Sequence, residues 1–295
     1  VVEKIAVNQF FRQRFGDKRR VKLLDFDREY SRLTQSDWRK MWHEIQQNNE
    51  TFQKVKALRK VFYHYVSDLL DKTPAGAALH IEKRWLKQLI RKFPEILRNW
   101  TSSSFYCQLA FNGNVEHLVL NKVGPGYGKH YSRYCDLFFD ESGNNSFLQS
   151  IQESYKVFGD QTVWADLNAV LGLNINLHPK ILDYEITYPG SVPNLETNQI
   201  NINDLSVCYD AAKQRLTLCS DELARSVALI PLGFLFPMLA PPLYKFLSSL
   251  SYANGVEYSF WEKFDRDQQK DSFRYYPRLM YGNIVLDRKT WKIPV

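Results

Sequence analysis

Residues 121 to 134 read NKVGPGYGKHYSRY, gathering three glycines, a proline, two lysines, a histidine and an arginine into one short stretch. Glycine lets backbone approach a ligand closely, and backbone N–H groups beside cations are the ingredients of a phosphate cradle. The nucleotide loop of that kind needs four residues between its first glycine and a Gly-Lys pair, then a Ser or Thr for magnesium. Here three residues separate Gly124 from Gly128, His130 stands at the hydroxyl position, and Pro125 lacks an N–H. Such a cradle is excluded, which leaves a plain glycine-rich connection and a functional loop as alternatives. Arg133 carries the most chemistry, because a guanidinium can grip a phosphate or carboxylate in bidentate fashion. The plainer reading pairs it with Asp136. His130 titrates near neutrality and can carry a proton, against the commoner fact of a surface-loop histidine.

Two basic clusters stand elsewhere. Arg12, Arg14, Lys18, Arg19, Arg20 and Lys22 lie close together near the start, and Lys83, Arg84, Lys87, Arg91 and Lys92 share a later segment. With a net charge of +7 and a pI near 9.1, the chain permits a polyanionic partner without demanding one. Trp85 or Tyr127 could stack on an unpaired base, while the alternative is a solvated helix face with its aromatics turned inward. His178-Pro179 and Asp183-Tyr184-Glu185 offer a carboxylate pair. Alternation along a strand puts Asp183 and Glu185 on one face, but a structural role is favoured for them. The six histidines form no H-E-x-x-H motif or Cys/His cluster, so no metal site is expected. Cys107, Cys135, Cys208 and Cys219 include no C-x-x-C pair and are expected reduced in a core.

Helices must hold the first of these groups. Thr34-Gln35-Ser36-Asp37 offers caps ahead of WRKMWHEIQ, and Phe52, Val55, Phe62, Val66 and Leu69 recur at helical spacing before Thr73-Pro74-Ala75-Gly76 ends the run. A third helix is expected from Ile81, with Trp85, Leu89 and Phe93 on one stripe and Pro94 closing it. From Ser104 the period changes to two, with Phe105, Cys107, Leu109 and Phe111 leading through Gly113-Asn114 into EHLVLNKV as a hairpin. SFLQSIQESYKVF and PLYKFLSSL read as helices, ILDYEITYP as a strand, and LSVCYDAAKQRLTLCS as a hairpin with Leu205, Val207, Leu216 and Leu218 inward. The expected class is α+β: a helical subdomain over 1–100, then a mixed subdomain over 101–295 built mainly from antiparallel strands with a few helices. The apolar run Val227–Leu243 is short and interrupted by four prolines, so no membrane span is expected. The chain opens on Val1 in mid-pattern without a signal peptide, which reads as a fragment of a longer cytoplasmic protein.

Five phrases in order resemble the later part of the N-terminal region of the lantibiotic (lanthipeptide) dehydratases. They are FFRQRFGDKRRVKLLDF, LVLNKVGPGYGKHYSRY, LGLNINLHPKILDYEITYPGS, INDLSVCYDAAKQRLTLCS and YYPRLMYGNIVLDRKTWKI, and they cover nearly the whole chain. The resemblance implies transfer of glutamate, or another aminoacyl group, from aminoacyl-tRNA to Ser or Thr of a ribosomally made precursor peptide. Aminoacyl-tRNA, most simply glutamyl-tRNA, is then the co-substrate, with no further cofactor and no ATP. It implies catalytic roles for Arg133 and Arg278, and tRNA contacts from Arg12, Arg14, Arg19, Arg20, Lys83, Lys87, Arg91 and Lys129. The precursor peptide is a partner, joined by a cyclase or a separate elimination protein, and the fragment alone is expected to be inactive. The family's leader-binding winged-helix element would lie before Val1, and an elimination domain, if present, after Val295. The alternatives are a peptide aminoacyl-tRNA ligase without elimination and, in another class, a non-catalytic basic module that binds RNA or peptide. In the dehydratases the segment like YYPRLMYGNIVL carries Pro-Arg-x-Arg-Tyr. Arg278 matches the first arginine and Met280 replaces the second. If the two share a strand face, elimination is expected to be impaired.

Overall fold

Phenylalanines set the first packing step. Phe10, Phe11 and Phe15 on α1 (Val2–Phe15) cluster with Phe26 and Tyr30 on α2 (Leu23–Asn48), with ring centroids 5.1 to 6.5 Å apart. The computed structural model describes residues 2–17, 19–95, 103–112, 115–156, 162–167, 177–233, 240–251, 259–268 and 274–293. The expected helix start at Thr34–Asp37 is not a boundary, since α2 runs through it. Leu23, Phe26, Tyr30 and Ile45 are buried on either side, and that packing outweighs local cap chemistry.

Two compact units interleave along the chain: Val1–Asn49, Glu95–Ser104 and Pro125–Gly255 in the first, and Glu50–Pro94, Phe105–Gly124 and Val256–Val295 in the second. The expected boundary at residue 100 lies outside the described residues.

The first unit is built on a seven-stranded sheet in the order β1-β8-β9-β10-β5-β6-β7. β1 (Val21–Lys22), β8 (Leu205–Asp210), β9 (Arg215–Ser220) and β10 (Arg225–Ile230) run antiparallel in turn. β5 (Thr162–Asp166), β6 (Tyr184–Thr187) and β7 (Asn198–Asn201) continue from β10 in parallel. That parallel half is not announced by the strand patterns, because parallel strands buried on both faces lose clean alternation. One face takes Val163, Ala165, Val227 and Leu229 against α1, α2 and α6 (Pro242–Leu250), which contributes Tyr244, Phe246 and Leu247. The other takes Trp164, Ala228 and Ile230 against Ile151 and Tyr155 of α5 (Ser146–Lys156). Asn145 starts α5 by accepting the Leu148 N–H at 2.9 Å, the bond an N-cap supplies. In the expected β8–β9 hairpin, Leu205, Val207, Leu216 and Leu218 are all buried.

The second unit packs α3 (Glu50–Lys72), α4 (Lys83–Arg91) and α7 (Phe260–Gln268) with a five-stranded sheet, β2-β12-β13-β4-β3. These strands are β2 (Leu79–His80), β3 (Ser103–Asn112), β4 (Val115–Pro125), β12 (Leu279–Tyr281) and β13 (Ile284–Asp287), and β11 (Arg274–Tyr276) pairs separately with β14 (Thr290–Lys292). Its core holds Tyr63, Val66, Leu79, Ile81, Trp261, Phe264, Tyr276 and Leu279. α3 stops where expected, with the Thr73 hydroxyl donating to Leu69 O at 2.6 Å and Gly76 at φ +85°. Residues 113 and 114, the expected hairpin turn, lie outside the described residues. No helix among the described residues is long and apolar enough to cross a membrane.

Candidate functional site

The glycine-rich loop is held by close approach. A Cβ on Gly126 (φ +84°) would stand 3.3 Å from Pro231 O, just past β10, and one on Gly128 (φ +85°) 2.9 Å from Ile151 Cδ1 on α5. Its carbonyls are taken: Tyr155 donates to Tyr127 O at 2.7 Å, and the N–H groups of Tyr131 and Ser132 donate to Gly128 O at 3.0 and 2.9 Å. Gly126 and Gly128 therefore serve packing, and the loop delivers a 3₁₀ turn, Ser132–Phe138. Ser132 is buried and donates to Leu232 O at 2.8 Å. Arg133, next in the chain, is exposed, with its guanidinium 5.9 Å from the Tyr134 ring centroid. Among the described residues it makes no ion pair with Asp136. Lys129 and His130 sit half-buried in the loop.

Beneath that turn, three ionisable side chains meet where the carboxyl end of β5 lies beside the start of β6. Asp166 ends β5 and accepts the Leu232 N–H at 3.0 Å. Its other oxygen lies 3.0 Å from His178 Nε2, and His178 Nδ1 lies 2.9 Å from Pro179 O. Glu185 stands opposite Asp166 in the ladder and accepts from the Asn194 N–H, the Thr197 hydroxyl and Gln199 Nε2 at 2.8, 2.9 and 3.2 Å. Asp166 and Glu185 are 5% and 2% exposed, so neither charge is hydrated. Burial alone would lower the His178 pKa; the Asp166 carboxylate, the Pro179 carbonyl and Glu185 overcome it and hold the imidazole at about 9. Burial, then Asp166, also raises the Tyr188 and Tyr244 phenols. Leu232 ties the arrangement together, giving its C=O to Ser132 and its N–H to Asp166.

Asp183 does not join Glu185. β6 starts only at Tyr184, after a bend, so the expected alternation does not reach Asp183. Its side chain is 74% exposed and 3.7 Å from Lys180, while Glu185 is buried. The pairing of Asp166 with His178 was invisible to spacing, because it joins a strand end to a distant loop. The available signal was an acid closing the otherwise apolar strand TVWAD.

In the second unit, Arg278 is exposed and lines an open groove of about 580 Å³ with Gln108, His117, Arg288, Lys289 and Trp291. Arg288 donates to Gln108 Oε1 at 3.2 Å and to Asn121 Oδ1, and Lys289 Nζ lies 5.4 Å from the Trp291 ring centroid. Met280 does not share the face of Arg278. The β12–β13 register shifts between Leu279 and Met280, and Met280 is 2% exposed in the core. That placement removes the expectation of lost elimination drawn from a shared face. Arg274 is committed to Asp265 at 3.1 Å and to the Tyr276 hydroxyl.

The remaining basic residues divide. Arg12 clamps Asp17 through contacts of 2.7 and 3.0 Å and lies over Tyr209, Arg14 pairs with Glu29 at 3.1 Å, and Arg20 and Lys22 both engage Asp221. Arg19 is exposed, Lys18 lies outside the described residues, and Lys83, Lys87 and Arg91 are exposed along α4. Trp85 is stacked on Tyr65 at 3.7 Å, and the Tyr127 hydroxyl faces Ser150 Oγ at 3.4 Å. Both aromatics have contacts within the protein, which fits the alternative of a basic face with its aromatics turned inward. No group of three or more His, Cys, Asp or Glu able to hold a metal occurs among the described residues.

Residues 9–295 match the family model described as lantibiotic dehydratase, N terminus. Among solved structures, the glutamylation domain TbtB from thiomuracin biosynthesis is 21% identical with a TM-score of 0.77, covering 98% of this chain and 35% of its own. The same domain bound to 5'-phosphodesmethylglutamycin gives 20% and 0.75, with the same coverage. The tRNA dependent lantibiotic dehydratase MibB from Microbispora sp. 107891 gives 14% and 0.58, covering 96% of this chain and 27% of its own. The chain thus shares their fold and spans about a third of the length of the TbtB structures. No curated protein sequence matches it. By the match over residues 9–295, the chain belongs to the lantibiotic dehydratase N-terminal family.

Proposed function

We propose that the chain is part of an enzyme that transfers glutamate from glutamyl-tRNA to Ser or Thr side chains of a ribosomally made precursor peptide. The observation that carries this reading is Arg133: an exposed guanidinium, set by a packed loop at the carboxyl end of the parallel strands, in a chain of this family. The ester on tRNA is already activated. The peptide hydroxyl attacks its acyl carbon, the terminal ribose oxygen leaves and takes up a proton, and no ATP is consumed. Arg133 grips a phosphate of the acceptor end or the glutamate carboxylate. His178 is protonated at neutral pH and hydrogen-bonded at Nδ1, so it has no lone pair for a general base and acts through position. Arg278 offers a second anion contact in its own groove, and Arg19, Lys83, Lys87 and Arg91 are the cations best placed for tRNA phosphates. Arg12, Arg14, Arg20 and Lys129 add to that set after exchanging present contacts. Exposed ion pairs are weak enough to exchange. Aminoacyl-tRNA and the precursor peptide are the partners in the cytoplasm, with a cyclase or separate elimination protein acting downstream.

The test is Arg133→Ala and Arg133→Lys in the full-length protein, with glutamyl-tRNA and precursor peptide, read by mass spectrometry of the peptide. A charge-assisted contact worth about 1.5 to 3 kcal/mol gives a rate loss of about tenfold or more for alanine. Lysine restores part of it, and the melting curve stays in place. An unchanged transfer rate assigns Arg133 to scaffolding and overturns the reading of this site.

A further inference from the structure

The outer face of the β8–β9 hairpin carries chemistry that aminoacyl transfer does not use. In the antiparallel register Cys208 stands opposite Thr217, and Ser206 opposite Cys219, so these four side chains share one face while Leu205, Val207, Leu216 and Leu218 point to the core. Cys208 Sγ lies 3.6 Å from Cys219 Sγ and 3.3 Å from Thr217 Oγ1. Both cysteines are half-buried, so the sulfurs touch one another and remain within reach of small solutes. The other two thiols are placed differently: Cys107 is exposed in the second unit, and Cys135 is buried against α5. The sequence expectation of thiols in a core holds for Cys135 alone.

We propose that Cys208 and Cys219 are a reversible dithiol–disulfide site, oxidised by peroxides, on the outer face of the large sheet. This goes beyond the transfer reading and stands without it. The Cys208 thiolate attacks the O–O bond of hydrogen peroxide, its sulfur becomes a sulfenic acid, and hydroxide leaves and takes a proton to form water. Cys219 sulfur then attacks Cys208 sulfur: the S–S bond forms, the S–O bond breaks, and a second water leaves with the Cys219 proton. Two electrons from the two thiols have reduced one peroxide to two waters.

The order of events follows from the surroundings. The Cys219 thiol hydrogen-bonds to Cys208, the Thr217 hydroxyl adds to it, and Arg20 favours negative charge, so despite burial the Cys208 thiol falls to about 6. The same hydrogen bond, with burial, pushes Cys219 up, which leaves it the resolving partner. The two residues are diagonal in the ladder rather than directly opposite, a placement that puts Cα atoms roughly 7–8 Å apart and past the usual disulfide span, so the strand backbones must draw closer for the sulfurs to close to about 2.05 Å. The resulting bond is strained and therefore easily reduced, as reversible disulfides are.

The experiment treats the full chain with hydrogen peroxide and reads intact mass and a non-reducing peptide map. The expected result is loss of two hydrogen atoms, a Cys208–Cys219 cross-link, and full recovery with dithiothreitol. Cys219→Ser should instead hold Cys208 as a sulfenic acid trapped by dimedone, and Cys208→Ser should oxidise far more slowly. Oxygen gain without a cross-link, or a link to Cys107 or Cys135, overturns the proposal. A second measurement needs no variant. Iodoacetamide labelling of Cys208 in the unmodified chain should rise with a midpoint at about 6, and a midpoint at the ordinary thiol value of 9.0 removes its assignment as the nucleophile.

Discussion

His178 is the residue whose state most depends on its neighbours. Its ring is buried, which disfavours charge, yet Asp166 at 3.0 Å and the nearby Glu185 make the imidazolium the stable form. The folded pKa of about 9 lies above the ordinary 6.5. The pair's stabilisation is therefore fully present below 6.5 and is lost as pH rises through 9, with a magnitude on the order of 3 kcal/mol. Urea midpoints measured across that window should fall for the unaltered protein and stay nearly flat for His178→Gln. Equal slopes in both would show that the decline comes from other groups. A guanidinium beside a glycine-rich turn marks Arg133 as a candidate in the sequence, and the structure leaves it exposed. The Asp166–His178 contact is not legible there, since the imidazole is held charged only once the fold brings the carboxylate beside it.

Elements show where local signals suffice and where packing decides. The stop of α3 and the β8–β9 hairpin were legible from Thr73–Gly76 and from alternating leucines and valines, both local codes. The start of α2 was misplaced because buried Leu23, Phe26 and Tyr30 extend the helix beyond its apparent caps. The parallel order β10-β5-β6-β7 depends on connections with no local signature. In the glycine-rich loop, Gly126 and Gly128 are required by close packing, which can be checked. Gly128→Ala must accept both a left-handed backbone and a Cβ 2.9 Å from Ile151 Cδ1, whereas Gly190→Ala, at φ +90° with nothing within 4 Å, bears the backbone strain alone. The backbone strain costs about 1 to 2 kcal/mol in each, and the overpacking at 128 adds about 1 to 3 kcal/mol. Chemical denaturation should rank Gly128→Ala as the less stable variant. Equal losses would mean that α5 yields without resistance.

At the scale of the whole molecule, a charge of +7 says little until the cations are sorted by commitment. Arg12, Arg14, Arg20 and Lys22 already face Asp17, Glu29 and Asp221, so a phosphate would have to displace a carboxylate at each. Lys83, Lys87 and Arg91 recur every four residues along α4, are exposed, and have no ion partner among the described residues. If the chain binds tRNA, these three release counterions at least cost. Each phosphate contact contributes about 0.7 to 0.9 to the logarithmic dependence of affinity on salt. Replacing all three with glutamine should therefore lower that slope by about 2 to 3 and weaken binding most at low salt. Replacing Arg12 and Arg14 should change the slope much less. Titration of fluorescent tRNA with the purified chain across a series of salt concentrations reads both quantities directly. A slope unaffected by the α4 triple variant would place the tRNA interface elsewhere, and affinity independent of salt would reject an electrostatic interface altogether.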